Sequence, residues 1–159
     1  MDILTAKGKV TRLQEREAIT LFEDNFMGYT FVETPKDRPA DIDGLIMHKN
    51  SLISCVEVKC RNMTMDTFIN QYGRKWLVTA DKIDRCVNVS KSLGVDFRGF
   101  LYLVPEKTLL IVPIWSYDNG YVCQIDREMT ETQATVNGGT AIRENAYIHV
   151  ENVTSVRQV

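Results

Sequence analysis

Two carboxylates and one lysine lie at the ends of neighbouring apolar segments, 41–47 and 52–59. Asp43 stands near the start of the first segment, and Glu57 and Lys59 end the second. A four-residue polar break separates the segments, which predicts a β-hairpin. Side chains alternate along a strand, so Glu57 and Lys59 share one face. Pairing across the turn therefore brings Asp43 close to both.

These residue types together indicate metal-assisted hydrolysis of a phosphodiester. Carboxylate oxygens are hard ligands that suit Mg²⁺, which is commonly held by one or two carboxylates with waters and phosphate oxygens. A lysine beside such an ion can orient or activate a water and offset charge in the transition state. A Glu-x-Lys triplet alone is more often a solvated strand face. The preceding aspartate and the hairpin context favour the catalytic interpretation.

Asp43 followed by Glu57-Val58-Lys59 resembles the active-site signature of the PD-(D/E)xK nuclease superfamily, over about residues 8–104. That group includes restriction endonucleases, archaeal-type Holliday junction resolvases and small phage nucleases. The resemblance implies that Asp43 and Glu57 bind Mg²⁺ or Mn²⁺, that Lys59 is the catalytic lysine, and that the Val58 carbonyl is a further ligand. The implied activity is that of a metal-dependent DNA endonuclease.

Two positions in the implied ligand set have alternatives. Pro39 is followed by Ala40, so both Asp41 and Asp43 are candidates. We favour Asp43, because the residues after it are uninterruptedly apolar. The family also carries a glutamate on the preceding helix, which is Glu15 or Glu17 in this chain.

The helical glutamate is assigned first to Glu15. In the family, a small residue follows this glutamate three positions on, and Ala18 stands at that spacing from Glu15. Glu17 lies instead on the Leu13–Leu21 apolar stripe. A solvated helix glutamate is the alternative for either residue.

Basic residues near the signature are candidates for contacts to nucleic acid. Two of them lie in the proline-flanked loop before Asp43, and the others follow the second strand of the hairpin. Solvated surface charges are the alternative for each, and one cation near the start of the second helix resembles a basic residue often found there in the family. The candidates are Lys36, Arg38, Arg61, Arg74, Lys75 and Lys82.

Length and composition set the class of protein. The 159 residues predict one domain, 1–159, with a nuclease-like core at about 8–104 and a C-terminal extension at about 105–159. No apolar run approaches the length of a membrane span. The cysteines show no zinc-binding spacing, which favours a reducing, cytoplasmic compartment. A net charge of -2 argues against a protein that coats nucleic acid indiscriminately.

The element order predicts an α/β, restriction-endonuclease-like fold: a mixed central sheet flanked by helices, α-β-β-β-α-β, with extra C-terminal strands. A helix between the hairpin and a later strand indicates a crossover connection. The helices are expected at 8–26 and 80–93. The strands outside the hairpin are expected at 29–34, 97–104, 108–115, 121–125 and 147–150.

DNA is the expected partner, and a homodimer is expected if both strands of a duplex or junction are cut, because one centre cuts one strand. One alternative function is a catalytically inactive nucleic-acid-binding module. The other is a protein-interaction module in which the Glu57-Val58-Lys59 triplet is only a solvated face.

Overall fold

Helices and strands alternate through the first two thirds of the chain, and strands follow. The computed structural model describes residues 6–37, 40–131, 142–151 and 153–158, with only the backbone of Lys7. The helices are α1 (Ala6–Asn25), α2 (Met65–Asn70) and α3 (Ala80–Leu93). The strands are β1 (Tyr29–Glu33), β2 (Gly44–His48), β3 (Ser51–Arg61), β4 (Lys75–Thr79), β5 (Asp96–Leu103), β6 (Thr108–Ser116), β7 (Gly120–Tyr121), β8 (Ile125–Glu131), β9 (Ile142–His149) and β10 (Thr154–Arg157).

The strands form a large mixed sheet and a small antiparallel one. The large sheet has the order β1-β2-β3-β5-β6-β10, with β7 beside β6, and the small sheet has the order β4-β9-β8. All pairings in the large sheet are antiparallel except β3 with β5, which α3 connects as a crossover. The predicted mixed α/β fold with a central sheet flanked by helices is confirmed.

Apolar layers cover both faces of the large sheet. On one face, Ala18, Ile19 and Phe22 of α1 pack against β1, β2, β3, β5 and β6. On the other face, α3 packs together with the small sheet, which contributes Trp76 and Ile148. Burial of a large apolar side chain stabilises a fold by roughly 2 kcal/mol. These layers hold β3 firmly at the centre of the molecule.

The predicted hairpin is formed by β2 and β3, with a tighter turn than the polar break suggested. Lys49 and Asn50 have φ values of 48° and 67°, so the turn has two residues with left-handed backbone, and His48 pairs with Ser51. The register shifts once, between Ile46 and Met47. The hairpin therefore determines which residues of β3 lie next to the start of β2.

The C-terminal part of the chain differs from the sequence prediction. The strand predicted at 121–125 is wrong: β7 ends at Tyr121 and β8 begins at Ile125, because the chain leaves the large sheet there and enters the small one. The segment predicted at 147–150 as the final strand belongs to β9, which begins at Ile142, and β10 follows it.

The predicted stripe on α1 is wrong at its N-terminal end. Leu13, with which the predicted Leu13–Leu21 stripe begins, is exposed, and so is Val10 one turn before it, because the first half of the helix borders a cavity and not the sheet. Among the described residues, no helix is long and apolar enough to span a bilayer.

Candidate active site

Asp43 is fixed by backbone contacts to both of its neighbouring strands. Its N–H donates to the Val56 carbonyl at 3.0 Å, and its own carbonyl accepts from the Thr34 N–H at 3.0 Å. The carboxylate turns towards β3, where Oδ2 accepts a hydrogen bond from the Val58 N–H at 2.8 Å. Asp43 is thereby held beside the Glu57-Val58-Lys59 segment, as the sequence predicts.

Glu57 and Lys59 point to the face of the large sheet that α3 and the small sheet cover. The Glu57 side chain is 3% exposed, whereas that of Lys59 is 38% exposed. Lys59 Nζ lies 3.4 Å from Glu57 Oε1, and Lys82 Nζ from α3 lies 3.3 Å from Oε2. Two ammonium groups thus flank one buried carboxylate.

The surroundings of Glu57 make its ionised form costly. Burial, and then repulsion by Asp43, raise the pKa of Glu57 to about 7, although Lys59 and Lys82 act in the opposite direction. Oε2 is buried and forms no hydrogen bond with the described residues. Beneath it, Trp76 and other apolar side chains border a gap too narrow to hold a water. Oε2 thus lies beside the Lys82 ammonium but keeps an acceptor position that no described residue uses.

The two alternatives in the predicted ligand set separate clearly in space. Asp41 is 54% exposed and lies 3.5 Å from Arg85, away from the contacts that hold Asp43. Glu15 lines the same cavity as Asp43, and its pKa is raised by burial and then by repulsion from Asp43. Glu17 instead accepts a hydrogen bond from the buried Tyr102 hydroxyl at 3.0 Å.

A cavity of about 920 Å³ opens above these residues. The first half of α1 forms one wall, and β4 with the adjoining part of β9 contributes another. The end of β3 and the segment before β2 complete it. Its charged lining residues are Arg12, Lys36, Lys59, Arg61, Lys82 and Arg85, with Glu15, Asp43 and Glu57.

The predicted nucleic-acid contacts fall into three groups. Lys36, Arg61 and Lys82 line the cavity, and Lys36 Nζ lies 3.5 Å from Asp43 Oδ1. Arg74 and Lys75 are not among its lining residues. Arg74 instead donates through Nε to the Val150 carbonyl at 3.0 Å. Arg38 lies outside the described residues.

Sequence reasoning missed two cavity-lining cations, Arg12 and Arg85. Arg12 forms an ion pair with Glu33 at 2.5 Å, and Arg85 pairs with Asp81 at 3.0 Å. Arg12 could have been predicted, because it lies one helical turn before Glu15 and therefore on the same side of α1. For Arg85 no sequence signal distinguished it from the other charges of α3.

The chain is similar in structure to a protein of known fold. No protein-family model and no curated protein matches the chain. Among solved structures, it is similar to Hjc, a Holliday junction resolvase from the archaeal hyperthermophile Archaeoglobus fulgidus. The similarity covers 65% of this chain and 74% of that one, with 18% sequence identity and a TM-score of 0.46. What the site can do follows from its own geometry.

The donor set fits a hard divalent cation bound by a pair of carboxylates. The described residues contain no group of three or more Asp, Glu, His or Cys side chains placed to hold one metal ion. The neighbouring carboxylates of Asp43 and Glu57, one with an oxygen that lacks a hydrogen bond, suit an ion that takes its other ligands from water and phosphate. Glu15 lines the same cavity and lies close enough to Asp43 for its pKa to be raised by that carboxylate, after the larger effect of burial.

Proposed function

We propose that the protein is a nuclease that uses Mg²⁺ or Mn²⁺ to hydrolyse phosphodiester bonds in DNA. The observation that carries this proposal is the convergence of Asp43, Glu57 and Lys59 at one cavity. The carboxyl group of Glu57 is buried and its pKa is raised, as expected for a carboxylate whose role is to bind a cation. Six basic and three acidic residues line the cavity; Arg12 and Arg85 pair with carboxylates that do not line it, and the other four basic residues still outnumber the acidic ones and favour phosphates.

In this proposal Asp43 and Glu57 hold the metal ion, with Glu15 acting through water and the Val58 carbonyl as a further ligand. When bound, the ion polarises a phosphate oxygen and neutralises the carboxylates. Lys59, whose side chain is partly exposed to the cavity, orients the attacking water through Nζ and offsets charge on the phosphorane-like transition state. The Val58 N–H fixes the Asp43 carboxylate in its orientation towards β3.

The surrounding lysines have a second task. Lys36 and Lys82 lie within 3.5 Å of Asp43 and 3.3 Å of Glu57, respectively, so they offset the carboxylate charge in the metal-free protein. With the carboxylate charge neutralised, the ammonium groups of Lys36 and Lys82 would be free to contact phosphates of the substrate.

Cleavage of a panel of linear, branched and single-stranded DNAs with Mn²⁺ tests the proposal. Lys59→Ala is expected to abolish metal-dependent cleavage while circular dichroism shows an intact fold. Lys91→Ala, which changes an exposed lysine further along α3, is the matched control and is expected to cleave normally. Undiminished cleavage by Lys59→Ala would refute the assignment.

Titration calorimetry separates a nuclease from an inactive binding module. Uptake of Mn²⁺ by the wild type and its loss in Glu57→Gln support the metal site. DNA binding without any metal uptake favours the binding module, and no affinity for DNA even at low salt favours the protein-interaction module.

Cutting of both strands of a duplex or junction requires two such centres, and we propose a homodimer for that activity. Sedimentation of the free protein and of its DNA complex tests this. A monomer in both states would restrict the activity to one strand at a time.

A further inference from the structure

The outer face of the small sheet carries an exposed apolar pair. On β4, Trp76 and Val78 point inwards, so Leu77 points outwards and is 45% exposed. On β9, Tyr147 pairs directly with Leu77, and its side chain is half-buried on the same outer face. A leucine beside a tyrosine on a flat sheet surface offers a flat apolar step of the size of one planar ring.

This apolar step, Leu77 with Tyr147, continues the wall of the candidate active site. Leu77 lines the same cavity as Asp43, Glu57 and Lys59, and so does Asn145 from β9. Tyr147 is not itself a lining residue, but it pairs with Leu77 and lies two residues after Asn145 on β9, so the step adjoins the cavity through Leu77.

Arg61 connects the step to the end of β3. Its guanidinium donates to the Leu77 carbonyl at 3.4 Å and to the Cys60 carbonyl at 3.3 Å. Within the described residues it forms no ion pair with a carboxylate, and it is also one of the basic residues lining the cavity. Its charge is therefore available to a phosphate that passes beside the step.

The charges around the step define the side on which a polyanion can lie. Asp126 and Glu128 of β8 stand opposite Tyr147 and Asn145 in the register. Asp126 Oδ2 pairs with His149 Nε2 at 2.6 Å, and Glu128 adds a second carboxylate, so the β8 side is the less favourable side for phosphates. The β4 side, beside Arg61, is the side on which the backbone of a bound strand is expected to lie, with its bases towards Leu77 and Tyr147.

We propose that Leu77 and Tyr147 stack an unpaired nucleobase, and that the substrate therefore has unpaired bases next to the phosphate held in the cavity. The inference rests on the proposed nuclease function and defines its substrate class. In a duplex the faces of the bases are stacked on one another and only phosphates and base edges reach a protein surface. The apolar step makes no favourable contact with charged phosphates, whereas the exposed face of an unpaired base can stack on it.

Fluorescence anisotropy with labelled oligonucleotides tests the proposal in EDTA, where cleavage cannot occur. The probes are a single strand, a blunt duplex of the same sequence, and a duplex with splayed unpaired arms. Stacking of one base is worth 1–3 kcal/mol, so Tyr147→Ala and Leu77→Thr are expected to weaken binding of the single strand and the splayed duplex by about tenfold. Binding of the blunt duplex is expected to stay unchanged.

Tyr117→Ala is the matched control, because Tyr117 is an exposed aromatic residue outside the cavity. Should Tyr147→Ala fail to fold, Tyr147→Phe keeps the ring and is expected to bind as the wild type does, and Leu77→Thr then carries the test. Equal losses of affinity for all three probes, or no loss of affinity for any of them, would overturn the stacking proposal.

Cleavage assays keep this inference separate from the function on which it rests. If the wild type cuts splayed and blunt duplexes equally and the Leu77 and Tyr147 variants do not alter this, the stacking proposal is wrong and the proposed nuclease function is retained. If the wild type cuts no probe with Mn²⁺ but the variants still lose affinity for unpaired strands, the proposed nuclease function is wrong and the stacking proposal is retained.

Discussion

Asp43 Oδ2 accepts a hydrogen bond from the amide of Val58 at 2.8 Å, and this amide lies between Glu57 and Lys59 in the chain. The carboxylate is therefore tied to the backbone of the very segment that carries the other two reactive groups. A side chain held in this way keeps its position relative to its neighbours without help from a bound ligand. Preorganisation of this kind lowers the cost of assembling the site.

Substitutions at the two neighbouring aspartates are expected to have opposite results. Asp43→Asn removes a charge next to Glu57 and is expected to abolish Mn²⁺ binding in calorimetry. Asp41→Asn changes an exposed group that pairs only with Arg85 among the described residues and is expected to bind Mn²⁺ within about twofold of the wild type. Loss of Mn²⁺ binding in Asp41→Asn alone would make Asp41 the ligand.

The affinity for Mn²⁺ is expected to depend on pH through Glu57. The pKa of Glu57 in the metal-free protein is raised to about 7, and a metal ion binds the ionised carboxylate. Below pH 7 each metal ion bound must displace a proton, so the affinity is expected to fall by roughly tenfold per pH unit. Calorimetry in buffers of different ionisation enthalpy measures the released proton, and a flat profile between pH 5.5 and about 7 would contradict this assignment.

The same carboxyl is expected to weaken the metal-free fold as the pH rises. Its pKa is near 4.5 when exposed and about 7 when folded, so the folded state holds the proton more tightly between these values. The free energy of unfolding is thus expected to fall by about 3 kcal/mol from this group as the pH rises through that window. Urea titrations of the wild type and Glu57→Gln isolate the contribution, which the glutamine variant is expected to lack.

The two glutamates of α1 are expected to differ in their effect on cleavage. Glu15→Gln removes a cavity carboxylate near Asp43 and is expected to lower the cleavage rate by about tenfold at limiting metal, as loss of an outer ligand does. Glu17→Gln keeps an oxygen that can accept from the Tyr102 hydroxyl and is expected to cleave normally. The reverse order would assign the site to Glu17.

Two of the arginines in the predicted nucleic-acid surface are expected to separate binding from stability. Arg61→Ala is expected to weaken DNA binding and to reduce the slope of its salt dependence by about one. Arg74→Ala removes the hydrogen bond to the Val150 carbonyl and is expected to cost about 1 kcal/mol of stability without a change in that slope. Anisotropy over a range of salt concentrations and thermal unfolding measure the two effects.

The parts of the fold that the sequence predicted are those with strong local patterns. The range 80–93 of α3 was predicted from an apolar stripe that is followed by Gly94. Gly94 does end the helix, with a φ of 69°. The hairpin was predicted from the polar break between two apolar segments, and the shared face of Glu57 and Lys59 from the alternation of side chains along a strand. These signals lie within short stretches of chain, so they need no knowledge of the tertiary structure.

The small sheet could not be predicted, because its strands come from distant parts of the sequence. β4 is followed by α3, and its partner β9 lies far beyond β6 in the chain. No local pattern indicates that Leu77 meets Tyr147 or that Asn145 reaches the cavity. The position of Lys82 beside Glu57 likewise depends on how α3 packs on the large sheet, which sequence spacing alone does not determine.

The turn at Lys49 and Asn50 is formed by residues adjacent in the chain, whereas the apolar gap beneath Glu57 is formed by residues far apart in the chain. The relative positions of Asp43, Glu57 and Lys59 are encoded within one contiguous hairpin segment, whose contacts are local and therefore quick to form. The low-dielectric surroundings of Glu57 come from Trp76 and Ile148, which arrive through long-range docking. A folding chain would thus acquire the geometry of its reactive groups before it acquires their unusual acidity.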